Sequence, residues 1–289
     1  MKPAPFEYAR PTTVAEVNAL LGEADGEAKV LAGGQSLVPL LNFRLATPRL
    51  LVDINRIDDL SGIDRTNGTL RLGALTRLRS LEADPQVRAT IPLLSAAAEW
   101  VGHVQIRNRG TVGGTLAHAD PAAEIPAICL LLDAEVRVAG RRGERTIAVR
   151  DLLAGFLTTT LDEDELVVEL RVPIPSEGER WGFREFAPRR GDFALAGAAA
   201  TISLDQGGAI QQARIVVFGT AEQPVRPAEA EAALRGRRPS EDLLAGAATL
   251  AAESAGADDP RPDAQYRKSL TRALVHRALD DAVGEGARA

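Results

Sequence analysis

The chain has 289 residues, of which 45% are hydrophobic and 26% are charged, and its formal net charge is −6 at pH 7. This length allows two or three packed units, and the composition is that of an ordinary globular protein. The negative charge disfavours nucleic acid and anionic membranes as partners. The start MKPAPFEYARPTT lacks the apolar segment of a signal peptide, and no run approaches the ~18 apolar residues of a membrane span, so we expect a cytoplasmic protein.

Cys129 is the single cysteine and lies inside the apolar run of residues 125–132. A disulfide framework, a thiolate zinc site and an iron–sulfur cluster held by this chain are therefore excluded. We expect Cys129 to be a small buried hydrophobic residue.

Hydrophobic spacing and turn residues divide the chain into three predicted units, residues 1–56, 57–175 and 176–289. The first is a compact α/β unit in which Thr13 and Glu16 form a capping box and Gly22 ends the helix. Its predicted elements are an extended arm over residues 3–11, a helix over 14–21, a strand over 29–32, a helix over 36–45 and a strand over 50–54.

The second unit is predicted to mix strands and helices, and Thr76 is predicted to cap its first short helix, which ends at Leu81. Its other predicted elements are strands over residues 69–73, 135–139, 145–149 and 165–172 and helices over 91–101 and 121–132.

Pro173, Pro175 and Gly178 mark the boundary to the third unit, where strands precede helices as in an α+β domain. The predicted elements are strands over residues 181–187, 195–204 and 210–219 and helices over 227–234, 241–252 and 263–283. The residues from Gly284 onwards are expected to be frayed.

The segment KVLAGGQSLVPLLN begins at Lys29 and combines a predicted buried strand, a glycine turn and the start of a helix. Gly33 and Gly34 permit positive φ angles and let a bulky anion approach the backbone, because neither has a Cβ atom. Free amide groups of the turn then face that anion, and Ser36 can add a hydroxyl donor. The alternative is a plain strand–turn–helix junction with Ser36 as an ordinary N-cap.

A second glycine turn, Gly110-Thr-Val-Gly-Gly-Thr115, repeats this pattern in the next unit. Its glycines allow close approach, and Thr111 and Thr115 supply hydroxyls beside backbone donors. Two such turns in successive units indicate one long ligand whose phosphates are held from two sides.

His118, Asp120 and Glu124 form a polar cluster before an apolar helix. Asp120 has a structural interpretation as the N-cap before Pro121, and Glu124 as a first-turn carboxylate that favours the helix dipole. Carboxylates here can also hold sugar or ribityl hydroxyls. A metal hydrolase built on the three residues is a further alternative.

Several familiar motifs are absent from the sequence. It contains no G-x-G-x-x-G, no Gly-Lys pair of a P-loop and no G-x-S-x-G, and its three histidines lack metal-ligand spacing. Rossmann dinucleotide binding, P-loop hydrolysis and a nucleophile elbow are therefore not supported.

The two segments AGGQSLVPLL and RNRGTVGGTLAHADPAAEIP resemble the flavin-binding medium subunit of the molybdenum hydroxylases, the FAD subunits of carbon monoxide dehydrogenase and its xanthine- and aldehyde-oxidising relatives. The similarity covers nearly the whole chain and includes FEYARPTTVAEVNALL, LVDINRI and GTAEQPVRP. Both long motifs occur in the order and at the separation of the family, which makes the resemblance specific.

The resemblance implies an α+β fold, with a two-part FAD-binding domain of the PCMH/VAO type followed by an α+β C-terminal domain. FAD is expected in an extended pose between the first two units. Gln35 stands where many relatives carry His, and Glu124 where they usually carry Asp. The residues that the resemblance assigns to the cofactor are Ala32, Gly33, Gly34, Gln35, Ser36, Leu37, Thr111, Val112, Gly113, Gly114, Thr115, His118, Asp120, Glu124 and Phe193.

Phe193 belongs to the segment Arg190-Gly-Asp-Phe193, which matches a family segment whose aromatic residue can lie over the isoalloxazine ring. The alternative for Phe193 is a core phenylalanine.

The resemblance further implies that the chain carries FAD but no metal and no catalytic residue of its own. Electrons come from a small [2Fe-2S] subunit and go to NAD, a quinone or oxygen, while a separate large molybdopterin subunit hydroxylates the substrate. The implied assembly is a dimer of heterotrimers, and the complex can associate with a membrane. Two alternatives are a nucleotide-binding regulatory or assembly protein and a stand-alone flavin oxidase of the p-cresol methylhydroxylase-like fold.

Overall fold

The structure of the chain, a computed structural model, describes residues 2–256 and 264–284. Three larger β-sheets follow one another along the chain, and helices are distributed among all three. The α+β class expected from the sequence is confirmed.

The first sheet has three parallel strands, and the strand that comes last in the chain lies in the middle. Its strands are β1 (Glu7–Ala9), β2 (Ala28–Leu31) and β3 (Leu50–Asp53), in the order β1-β3-β2. Helices α1 (Val14–Ala24) and α2 (Leu37–Asn42) make the two crossovers. The arm that was expected to be merely extended therefore includes a paired edge strand.

The predicted capping box of α1 is present, because the hydroxyl of Thr13 accepts a hydrogen bond from the amide of Glu16 at 3.2 Å. The carboxylate of Glu16 accepts in return from the amide of Thr12 at 2.7 Å. The predicted end at Gly22 is wrong, since the helix continues to Ala24, which is buried in the core of this unit. Asp25, in the left-handed region at φ 47°, ends it instead.

The second sheet has five antiparallel strands in the order β4-β5-β10-β6-β7. The first hairpin, which the sequence prediction missed, turns through Asn67 and Gly68, both at positive φ as in a type I′ turn. A separate two-stranded sheet is formed by the chain between β7 and β10. The strands are β4 (Ile63–Thr66), β5 (Thr69–Gly73), β6 (Glu135–Gly140), β7 (Gly143–Ala148), β8 (Leu153–Gly155), β9 (Thr158–Thr159) and β10 (Leu166–Pro173).

Short helices fill the long connection from β5 to β6 and pack on the second sheet. Thr76 is not the cap of the first of them, because its hydroxyl donates to the carbonyl of Gly62 at 2.8 Å and Arg77 occupies the N-cap position. A short 3₁₀ helix over Asp58–Leu60 precedes β4. The helices are α3 (Leu78–Ala83), α4 (Pro85–Thr90), α5 (Pro92–Ala98), α6 (Val104–Arg107), α7 (Val112–His118) and α8 (Glu124–Leu131), with α9 (Val149–Leu152) after β7.

The third sheet is antiparallel, with strands β11 (Arg180–Phe186), β12 (Ala196–Leu204) and β13 (Ile210–Phe218) in chain order. Helices α10 (Ala228–Leu234), α11 (Glu241–Gly256) and α12 (Ala264–Val283) follow. The predicted strands and helices of this unit are confirmed. Asp263, the predicted first residue of the last helix, and residues 285–289 of the predicted frayed end lie outside the described residues.

Central strand β12 is covered on both faces and has small side chains. Ala199 packs with Phe218 and Phe183 in the core of the second unit, whereas Ala200 and Ile202 pack against the C-terminal helices. The third sheet therefore joins the two cores. Across residues 2–256 and 264–284, no helix is long and apolar enough to cross a membrane.

Candidate cofactor site

The first glycine turn, residues 32–37, connects β2 to α2. Within the described residues, none of the five consecutive backbone amides from Gly33 to Leu37 donates a hydrogen bond to a protein acceptor. The amide of Val38 is the first to be used, because it donates to the carbonyl of Gly34 at 3.0 Å. Since unpaired amides are rare in folded proteins, this run of donors is suited to an anion.

Ser36 stands at the N-cap position of α2 but does not cap the helix with its side chain. Its own backbone is already helical, at φ −98° and ψ −45°, whereas capping serines are usually extended. The alternative of an ordinary N-cap serine is therefore wrong. The side chain of Gln35 folds back, and its Nε2 donates to the carbonyl of Gly33 at 3.0 Å.

The second glycine turn, residues 110–115, uses its backbone differently, because it starts helix α7. The hydroxyl of Thr111 caps this helix by accepting from the amide of Gly114 at 3.1 Å. The amides of Val112 and Gly113 donate to carbonyls that precede α3, those of Thr76 at 3.0 Å and Ala74 at 2.8 Å. The sequence predicted backbone donors beside the two threonines. In the structure these amides already donate to acceptors within the protein.

Thr115 is the exception in the second turn. Its amide donates to the carbonyl of Thr111 at 3.0 Å, but its half-buried hydroxyl has no hydrogen-bond partner in the described part of the chain. Gly113 has a packing role, because a Cβ there would lie 2.6 Å from the Cβ of Ala74. The hydroxyl of Thr115 is therefore available to a ligand, while Thr111 and Gly113 build the helix.

The two glycine turns touch each other. A Cβ atom on Gly33 would lie 2.2 Å from the carbonyl oxygen of Arg109 and 2.9 Å from the Cα of Gly110. A Cβ on Gly114 would lie 3.9 Å from the side chain of Ala32. One elongated ligand can consequently contact both turns, as the sequence pattern indicated.

Two residues that the sequence prediction missed support these turns, Asn55 and Arg77. The side-chain amide of Asn55 donates to the carbonyl of Ala32 at 2.8 Å. The guanidinium of Arg77 donates to the side chain of Asn55 at 2.8 Å and to the carbonyl of Arg109 at 2.6 Å. Asn55 lies in the segment LVDINRI, to which the resemblance assigned no cofactor residue, and no motif or periodicity marks Arg77.

The predicted helix start at Pro121 is wrong, because α8 begins at Glu124 and Ala123 occupies its N-cap position. The carboxylate of Asp120 instead accepts from the amide of Ala122 at 2.8 Å, and it stabilises a turn between α7 and α8. His118 is the last residue of α7 and is half-buried.

Glu124 and Glu185 are two buried carboxyl groups that influence each other. Burial and the charge of Asp120 raise the pKa of Glu124 to about 7. Burial and the charge of Glu124 raise the pKa of Glu185 to about 9. Arg107 opposes the shift of Glu124, although its guanidinium is bound to Glu82 at 2.7 Å. At neutral pH the pair therefore retains at least one proton.

Glu185 was not among the predicted site residues. It lies on β11 opposite Gly197, is only 8% exposed, and its Oε2 has no hydrogen-bond partner among the described residues. A single charged residue in a strand of mixed character gives no signal of this environment, which depends on the packing of the third sheet against α8.

Phe193 lies in the connection from β11 to β12 and is 69% exposed, so the alternative of a core phenylalanine is wrong. The same connection rests on the segment before α6, since a Cβ on Gly191 would lie 2.7 Å from Nδ1 of His103. Arg190 is stacked over Trp100 at 5.4 Å from the ring centroid. A contact of Phe193 with the isoalloxazine ring stays a prediction.

Other chemistries find no support in the site. Over the described ranges, no three His, Cys, Asp or Glu side chains are grouped as metal ligands, and His118, Asp120 and Glu124 form no such group. Cys129 is fully buried, and burial raises the pKa of its thiol to about 12, which makes it unreactive as expected.

Two family models match this chain. The model described as "FAD binding domain in molybdopterin dehydrogenase" matches residues 4–175, and "CO dehydrogenase flavoprotein C-terminal domain" matches residues 181–282. The chain is thus a flavoprotein with FAD as its cofactor. It belongs to the FAD-binding subunits of the molybdenum hydroxylases, and is an oxidoreductase subunit.

Relatives align over almost their full length. The alpha subunit of the 6-hydroxypseudooxynicotine dehydrogenase complex of Paenarthrobacter nicotinovorans is 43% identical, over 98% of this chain and 96% of that protein. Caffeine dehydrogenase subunit beta of Pseudomonas sp. strain CBB1 is 41% identical, over 96% of this chain and 95% of that protein. A carbon monoxide dehydrogenase structure from Hydrogenophaga pseudoflava superposes with a TM-score of 0.95 at 38% identity, over 99% of this chain and 100% of that one.

Proposed function

We propose that this chain is the electron-transfer subunit of a molybdenum hydroxylase complex and that its two glycine turns hold FAD. The observation that carries the proposal is the run of five amides from Gly33 to Leu37 that are unpaired among the described residues and lie against the second turn. These amides fit the charge of a pyrophosphate, and the missing Cβ of Gly33 lets the turns approach each other. When bound, FAD supplies the redox chemistry, taking electrons from iron–sulfur clusters and passing them on.

The protein residues in this proposal bind and orient, and none acts as a general base or nucleophile. Residues 32–37 hold the pyrophosphate, and Thr115 donates its hydroxyl from the second turn. Glu124, with His118 and Asp120 nearby, faces the ribityl chain, and Phe193 covers the ring. The units 1–56 and 57–175 carry the cofactor and 176–289 closes over it, a division supported by the three successive sheets.

The proposed partners are a small [2Fe-2S] subunit and a large molybdopterin subunit in a dimer of heterotrimers, with NAD, a quinone or oxygen as acceptor. The exposed side chains of Phe43, Leu45 and Phe156, which are 61–75% accessible, support burial against other subunits. The relatives' complexes are named for 6-hydroxypseudooxynicotine, caffeine and carbon monoxide, which supports a substrate choice made outside this chain. A cytoplasmic location, with or without membrane association through the complex, stays a prediction.

The visible absorption spectrum of the purified chain tests the proposal, with the released cofactor identified after denaturation. We expect flavin bands and released FAD, and bleaching when a reduced iron–sulfur subunit is added. A chain that stays colourless with excess FAD, alone and together with its partner subunits, would contradict the proposal.

The same experiment separates the two alternatives. A regulatory or assembly protein would bind the nucleotide without being reduced by the iron–sulfur subunit. A stand-alone oxidase would be bleached directly by an organic substrate in the absence of partners.

A further inference from the structure

The two glycine turns are connected by a chain of polar side chains that starts in the first sheet. Asp53 accepts hydrogen bonds at Oδ1 from the backbone amide of Asn55 at 2.9 Å and from its side-chain amide at 2.7 Å. The same side-chain amide reaches the carbonyl of Ala32 in the first turn. Arg77 then spans from Asn55 to the carbonyl of Arg109, directly before the second turn.

One carbonyl group is shared by both parts of this arrangement. The oxygen of Arg109 that accepts from Arg77 is the atom against which the backbone of Gly33 is packed. The side-chain amide of Asn55 donates to the carbonyl of Ala32 in the first turn. Ala32 directly precedes Gly33, which makes the contact with Arg109. The Asn55–Arg77 pair therefore connects the two turns at the place where they touch.

The charge of Arg77 is not neutralised by an ion pair within the described residues. Its guanidinium donates to neutral oxygens, whereas the nearby Asp53 is occupied by Tyr8 and lies 3.7 Å from Arg10. Burial and the charge of Arg109 lower the pKa of Arg77, but arginine keeps its charge at neutral pH. A positive charge thus remains beside the unpaired amides.

We propose that Arg77, acting through Asn55, is a positioning residue that fixes the separation of the two glycine turns and thereby sets the affinity for FAD. The inference rests on the proposed function, because it assumes that FAD spans both turns. A pre-arranged pair of turns binds the cofactor without the cost of ordering them.

The test compares Arg77→Ala, Asn55→Ala and their double variant with the wild-type chain freed of FAD. Arg71→Ala is the matched control, because Arg71 also lies on the second unit and is bound to a carboxylate, Glu169, at 2.6 Å. Two quantities are measured, the dissociation constant for added FAD and the melting temperature without FAD.

We expect each single variant to bind FAD at least about tenfold more weakly, while the melting temperature falls no further than in Arg71→Ala. The dissociation constant of the double variant should be at most about twice that of the single variant that binds FAD less tightly, because the two residues act as one unit. Arg77→Lys should recover only part of the affinity, since an ammonium cannot reproduce the planar double donation.

The inference would be overturned if Arg77→Ala bound FAD with wild-type affinity. A lower melting temperature of Arg77→Ala with unchanged FAD affinity would overturn it as well. If Arg77→Ala does not fold, Arg77→Lys decides, because wild-type affinity in that variant would overturn the inference equally. Failure of the wild-type chain to bind FAD would instead contradict the proposed function.

Discussion

At the scale of single residues, Gly33 is where the two turns meet, and no other residue type fits there. A Cβ atom would lie 2.2 Å from a backbone oxygen, which cannot move aside as a flexible side chain can. We expect Gly33→Ala to separate the turns, to weaken FAD binding at least about tenfold and to cost about 2–4 kcal/mol of unfolding free energy. Cofactor titration and urea unfolding measure the two effects.

Gly246→Ala provides the comparison for this variant. Gly246 lies in α11, and apart from the helix's own backbone no atom of the described residues would lie within 4 Å of a Cβ there, so alanine should stabilise the helix by about 0.5–1 kcal/mol and leave FAD binding unchanged. Equal FAD affinity in Gly33→Ala and Gly246→Ala would contradict the close-contact interpretation.

The carboxyl pair of Glu124 and Glu185 makes stability depend on pH. Both pKa values are raised in the folded chain, to about 7 and about 9, above an unfolded value of ~4.3. The folded state therefore holds more protons, and the unfolding free energy falls as pH rises from about 4.5 to 9. The contribution is fully present below the unfolded pKa and is lost as pH rises through the folded values.

Glu185→Gln should remove the part of this dependence that comes from Glu185, because an amide carries no proton to lose, while the part from Glu124, whose pKa burial raises to about 7, should remain. At pH 8 we expect it to exceed the wild type by at least about 1 kcal/mol of unfolding free energy, with a smaller difference at pH 5. Urea unfolding at both pH values measures this, with the exposed Glu177→Gln as control. Parallel pH profiles of Glu185→Gln and the wild type would refute the protonated pair.

At the scale of elements, α7 shows where local sequence information ends. Its glycines at residues 113 and 114 are typical of a loop, but the contact of Gly113 with Ala74, the cap by Thr111 and the amide bonds of Val112 and Gly113 stabilise the segment as a helix. The strands of the third sheet were predicted correctly because apolar runs bounded by turn residues are local signals. Asn55, Arg77 and Glu185 have no such signal, since their partners are distant in the sequence.

The two threonines of the second turn should separate stability from binding. Thr111→Ala removes the cap of α7 and should cost about 1 kcal/mol, whereas Thr111→Ser retains it. Thr115→Ala removes a hydroxyl without a partner in the described part of the chain, so we expect unchanged stability and several-fold weaker FAD binding. Thermal melting and FAD titration of the three variants check this, and a destabilised Thr115→Ala would argue against it.

At the scale of the whole molecule, the third sheet holds the C-terminal unit to the FAD-binding part through aromatic packing. Phe218 is fully buried in the core of the second unit together with Phe183, and the ring of Phe183 lies 6.1 Å from that of Trp100, which precedes α6. We expect Phe218→Ala to cost about 3–5 kcal/mol and to lower the unfolding temperature of the entire chain. Calorimetry measures the loss.

Phe186→Ala is the control on the same sheet, because Phe186 is 40% exposed. Phe186→Ala should lower the unfolding free energy by less than about 1 kcal/mol. Similar losses in the two variants would show that the sheet does not join the cores.

The unequal use of backbone amides in the two turns has a consequence for how the apoprotein behaves in heavy water. Amides 112–115 are bonded to the protein itself, so their deuterium uptake should be slow with or without FAD. Amides 33–37 have no acceptor among the residues that the structure describes, so they should exchange quickly in the apoprotein and become protected once FAD is added. Exchange mass spectrometry of the peptide that contains residues 33–37 would then report the fraction of chains that carry the cofactor. Identical deuterium uptake with and without FAD would show that FAD does not reach these amides.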